Sequence, residues 1–185
     1  VGSLSVSAQT ITNGTARSEA AAGGILSGQG SIATTDIGPS VTAEIGNRTA
    51  ARVNTDVAAT ATATVTGTAT ANGASIGALG VGVSEATART MPVVRATIGD
   101  ETVITAGQDV TVSGTATTTA TTHATASAGA LIGIAGTTST ATGLPQVNAA
   151  IGSGSTIEAD RAVSITAATS NSASSDASGW IGGLA

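Results

Sequence analysis

From Val57 onward, apolar and polar residues alternate. Val57, Ala59, Ala61, Ala63, Val65, Gly67, Ala69 and Ala71 fall on one side, and Thr60, Thr62, Thr64, Thr66, Thr68 and Thr70 on the other. A period of two is that of an extended strand, whose successive side chains point to opposite faces. Thr and Val are β-branched and suit a pleated surface, so the pattern predicts a strand with its apolar set inside and its hydroxyls toward water. The same parity recurs later, with Val110, Val112, Gly114, Ala116, Ala120, Ala124 and Ala126 inside and Thr111, Thr115, Thr117, Thr119, Thr121 and Thr125 outside. Between the two runs lies a glycine-rich break, Asn72 to Gly77, where glycine permits a sharp reversal. Alternation then resumes with Ala78, Gly80, Gly82, Ser84, Ala86 and Ala88 inside, and continues into Val94, Ala96 and Ile98.

The recurrence is strict. The three prolines, Pro39, Pro92 and Pro145, lie 53 residues apart and open the same phrase: Pro39-Ser-Val-Thr-Ala-Glu-Ile-Gly46, Pro92-Val-Val-Arg-Ala-Thr-Ile-Gly99 and Pro145-Gln-Val-Asn-Ala-Ala-Ile-Gly152. Leu4, Val57, Val110 and Val163 keep the same spacing, so the repeat runs ungapped through a partial unit at 1–41, full units at 42–94 and 95–147, and a partial unit at 148–185. Self-similarity at a fixed period of this size means stacked structural units. Long strands, a thin interior and no predicted helix give an all-β fold, a β-solenoid whose turns pair in parallel. A closed antiparallel sheet of hairpins is the alternative, since an open one would leave long Ala/Thr edges exposed. Each repeat could be one wide turn of 53 residues or two turns of about 26, and common coil lengths favour two. The prolines suit a bend, an edge or a strand start.

Composition narrows the interior and the partners. The chain has no Phe, Tyr or Cys, one Trp (Trp180) and one Met (Met91), so a core of Ala and Val must join walls that lie close together. Positive mean hydropathy and 9% charged residues are the reverse of a disordered linker. The net charge is −5, and the six basic residues are scattered arginines, which offers no phosphate-binding stripe. With almost no aromatics there is no stacking platform for single strands, so nucleic acid is not an expected partner. No apolar run reaches the ~20 residues of a membrane helix. The chain starts and stops inside a repeat, which reads as an excerpt of a longer protein. Where every position has a counterpart one period away, a single active site is not expected.

Candidate chemistry is correspondingly sparse. Gly73-Ala-Ser75-Ile-Gly77 matches the G-x-S-x-G elbow in letters, but no helix follows it and His123 is the sole histidine. His123 replaces a Thr in an outward column and reads as a neutral substitution without a metal-ligand set. Asp100, Glu101 and Asp109 gather at a turn with counterparts at Asp56, Glu158 and Asp160, and read as solvated corner charges that protect exposed edges. Neither catalytic residues nor cofactor or metal ligands are assigned. The strongest candidate surface is the outward threonine array, Thr60, Thr62, Thr64, Thr66 and Thr68 with Thr115, Thr117, Thr119 and Thr121. Spacings of ~7 Å along a strand and ~4.7 Å between turns make a lattice of the kind ice-binding solenoids display. Ile11, Arg17 and Glu19 before it, and Ala168 and Asp176 after it, interrupt that lattice. Trp180 could serve a carbohydrate or cover an apolar patch. Asn13-Gly-Thr15 and Asn47-Arg-Thr49 are glycosylation sequons in form.

Val94-Arg-Ala-Thr-Ile-Gly99, Val103-Ile-Thr-Ala-Gly-Gln-Asp-Val-Thr-Val112 and the Ala/Thr alternation resemble the repeat regions of large bacterial filamentous adhesins. These are the haemagglutinin-like exoproteins of two-partner secretion and the passenger regions of autotransporters. The resemblance implies a right-handed parallel β-helix at the bacterial cell surface, acting as a rigid stalk or fibre. Its expected partners are the neighbouring repeats, other copies of itself, or glycans and proteins of a host or biofilm surface. A self-assembling sheath subunit and an ice-binding solenoid are the alternatives.

Overall fold

A computed structural model describes residues 2–183, and the outermost residues of the two partial repeats lie outside that range. The first turn comprises β1 (Leu4–Ile37), β2 (Ser40–Ile45) and β3 (Ala50–Val53). The second comprises β4 (Val57–Thr90), β5 (Val93–Ile98) and β6 (Val103–Ala106), and the third β7 (Asp109–Gly143), β8 (Gln146–Ile151) and β9 (Thr156–Ala159). β10 (Ala162–Gly182) opens a fourth, and no helix occurs among the described residues. The strands stack into three sheets, β1-β4-β7-β10, β2-β5-β8 and β3-β6-β9. Every pairing is parallel, which removes the antiparallel alternative and makes the chain a parallel β-solenoid.

All three sheets share one register. Val57 pairs with Val110, Val94 with Val147 and Ile104 with Ile157, so each residue stacks on the one 53 positions ahead. One repeat is therefore one turn, and the expectation of two turns per repeat is corrected. The reason lies in the first long strand segment of each turn, where alternation runs from Val57 to Ser75 without a corner. Gly67, at its middle, faces inward, where a Cβ would lie 3.1 Å from the Thr90 methyl.

The single reversal comes at residues 76–79, and it inverts parity. Odd positions are buried up to Ser75 and even positions from Gly80 to Thr90. Each long strand is thus a long arm (Val57–Ser75), a tip and a return arm (Gly80–Thr90) that faces the long arm across a thin interior. Ala78, expected inside, sits half-buried in the tip itself. Gly77 is required there, because a Cβ would run into the Gly24 carbonyl oxygen of the turn below and approach the Ser27 hydroxyl at 3.0 Å. Pro39, Pro92 and Pro145 mark the next bend, between the return arm and β2, β5 or β8, where no ladder donor is lost.

Two cores result. At the base, three short walls enclose Val57, Val94, Ile98, Ile104, Val110 and Val112, all essentially excluded from solvent. In the blade formed by the two arms, Ala69, Ala71, Ala120 and Ala124 pack against Ala86, Ala88 and Ala33. The gap between the arms is one small side chain wide. The Ser31 hydroxyl donates across it to the Ser18 carbonyl (2.9 Å), Thr35 to Thr68 O (2.9 Å) and Ser84 to Thr125 O (2.7 Å). Gln29 lies flat in the gap between Ala20 O and Ala74 N, in space that a Cβ on Gly73 would occupy.

Candidate functional site

Three surfaces carry the polar chemistry of the solenoid. The first is the outer face of the long arm. Register stacks Thr62 on Thr115, Thr64 on Thr117, Thr66 on Thr119 and Thr68 on Thr121, while Thr60 meets Ser113. All nine array residues lie on this face, half-buried between neighbours or exposed. The regular block is two turns deep. Gln9, Ile11, Asn13 and Thr15 flank it on one side, and Ala168, Ser170, Ser172 and Ser174 on the other.

Beside the array, toward the tip, two columns form a connected polar cluster. One holds Arg17, Thr70, His123 and Asp176, and the other Glu19, Asn72, Thr125 and Ser178. Arg17 Nε donates to Glu19 Oε1 at 3.0 Å. That guanidinium, first by hydrogen bond and then by charge, holds the Glu19 carboxyl below its usual range, with Asn72 adding to the effect. His123 Nδ1 lies 3.0 Å from Asp176 Oδ2 and its Nε2 3.0 Å from Thr125 Oγ1, which in turn lies 3.4 Å from Ser178 Oγ. His123 is therefore tied into a carboxylate–imidazole–hydroxyl chain and is not a bare substitution. The period of 53 places Asp176 beside it, a signal that was available in the sequence. The order of groups is that of a nucleophile relay, but Thr125 stands on an open sheet.

The third surface is the corners of the base. The charges here are mostly exposed, and several also bond from turn to turn. Asn47 Oδ1 accepts from Asp100 N (2.8 Å), Asp100 Oδ1 accepts from Ser153 N (2.7 Å), and Asp56 Oδ1 accepts from Asp109 N (3.1 Å). Arg48 Nε meets Glu101 Oε2 at 2.9 Å. Arg48, Glu101 and Gly154 occupy one ladder position, and all three adopt left-handed backbone with φ of 56°, 53° and 68°. Among the described residues, no three His, Cys, Asp or Glu side chains converge as a metal set.

Two interior features escaped the sequence reading. Thr118 and Thr122 are buried on the inner face, bonded to Asn171 Oδ1 and Ser139 Oγ at 2.7 Å each. Thr90 Oγ1 is buried with no hydrogen-bond partner. No family model matches the chain, and no curated protein or solved structure is found to be similar to it.

Proposed function

We propose that this chain is a structural and adhesive segment of a bacterial extracellular filamentous protein, working through its faces and not through a catalytic centre. The observation that carries the reading is the common 53-residue register of all three sheets. A solenoid of this kind gains stability turn by turn from neighbour contacts, and its surface columns repeat along the axis. The Val94–Gly99 and Val103–Val112 phrases, similar to adhesin repeats, support placement at the cell surface.

The shape refines the role. Each 53-residue turn advances the axis by only ~4.7 Å, while a long arm of nineteen residues, Val57 to Ser75, extends about 60 Å. A structure that spends residues this way makes a broad blade, presenting wide flat faces to glycans, proteins or neighbouring filaments. Electron microscopy and fibre diffraction of the protein carrying these repeats test the proposal. Tapes at least about 60 Å wide with a ~4.7 Å axial reflection are expected. Compact particles without that reflection would overturn it.

A further inference from the structure

The outer face of the return arm differs from every other surface of the blade. In the second turn it presents Leu79, Val81 and Val83, which are 43%, 41% and 50% exposed. The tip and this stretch carry no charge in any turn, since residues 20–35, 73–84 and 124–157 contain no Asp, Glu, Lys or Arg. The ladder partners in the first turn are Leu26, Gly28 and Gly30. A Cβ on Gly28 or Gly30 would meet nothing within 4 Å, so the rung beside the branched one is an open hollow.

We propose that this face pairs with the same face of a second copy of the chain, about a two-fold axis parallel to the strands and lying between the first and second turns. In that arrangement Val81 and Val83 of each copy sit over Gly28 and Gly30 of the other, so ridge fills hollow twice. Symmetry of this isologous kind needs one self-complementary patch, which the glycine rung of the first turn beside the branched rung of the second supplies, while Ile132 and Ile134 of the third turn lie beyond the overlap. A lipid surface fits less well, because interfacial binding draws on several basic residues flanking the apolar face, and here one arginine, Arg89, flanks it with the acidic Glu85 between. Area sets the strength. Each turn offers a strip of about 23 Å by ~4.7 Å, roughly 110 Å², and this axis overlaps only the first and second turns of the two copies, so about 220 Å² is covered per partner against the ~800 Å² of a stable interface. Pairing is therefore weak, a transient lateral contact between two blades.

The proposal rests on the structural reading above and is tested separately from it. The chain has no cysteine, so single introduced ones report contacts cleanly. Val81→Cys is mixed with Gly28→Cys under mild oxidation, with Thr64→Cys on the opposite face as control. Mixed dimers should form several-fold faster than with the control, and Gly30→Leu, which fills the hollow in open space, should remove the excess while the melting temperature holds. Equal rates for all pairs would overturn the pairing even if tapes are seen by microscopy. So would co-sedimentation with phosphatidylcholine vesicles by a chain that forms no mixed dimers, which would assign the face to lipid. Mixed dimers in a protein that forms no tapes would leave the pairing intact and sink the filament reading.

Discussion

The base and the blade of one turn are built from the same repeat, yet they hold together differently. The base has three short walls around Val and Ile side chains, and it is stabilised by apolar volume. The blade has two long walls separated by Ala, Gly and Ser, where little apolar volume is available. Its walls are instead joined by hydroxyls that reach across to backbone carbonyls, as Ser84 does to Thr125 O at 2.7 Å. A thin slab can satisfy buried serines because the opposite backbone is within reach of one side chain. A wide core could not.

That contrast predicts opposite sensitivities. Ile98→Ala or Ile104→Ala in the base should leave a cavity and cost roughly 2–5 kcal/mol, measured by denaturant unfolding. In the blade, where truncation has little to remove, enlargement is the damaging change. Ala71→Leu or Ala120→Leu should cost about 1–3 kcal/mol by forcing the arms apart. Were the blade to tolerate leucine as the base tolerates a conservative swap, the two cores would not differ as described. Thr90→Val goes the other way, since it replaces a buried hydroxyl without a partner by a methyl of the same shape, and should raise stability by about 1 kcal/mol.

The smallest effect is electrostatic. The Glu19 carboxyl is held below its usual value near 4.5 by Arg17, so its pairing contributes above that value and is lost as pH falls through the lowered one. Both side chains are exposed, so Glu19→Gln should lower the melting temperature only slightly at neutral pH, and the difference should vanish in strong acid.

Parity and period made much of this fold legible. The inward alanines of the long arm, the outward threonines and the parallel stacking follow from a two-residue alternation and a 53-residue repeat. The number of turns per repeat did not, because nothing local distinguishes a run that stays straight for nineteen residues from one that bends. That choice is settled by the tip, where Gly77 must pass the Gly24 carbonyl and parity inverts. Buried threonines such as Thr118 were missed for a different reason. Polarity assigns a hydroxyl to solvent, although parity with Ala116 and Ala120 puts Thr118 inside and the period of 53 stacks Asn171 on it as its partner. The His123–Asp176 contact was readable by adding 53, and the return-arm ridge by the parity that puts Gly80 and Gly82 inside.

The central claim is that one 53-residue repeat makes one flat turn. Small-angle X-ray scattering of this chain, extrapolated to zero concentration, tests it most directly. A blade with a long arm of nineteen residues, Val57 to Ser75, requires a largest dimension of at least about 60 Å. Two turns per repeat would instead stack about seven short coils into a body roughly 45 Å across at most, and that result would contradict the account.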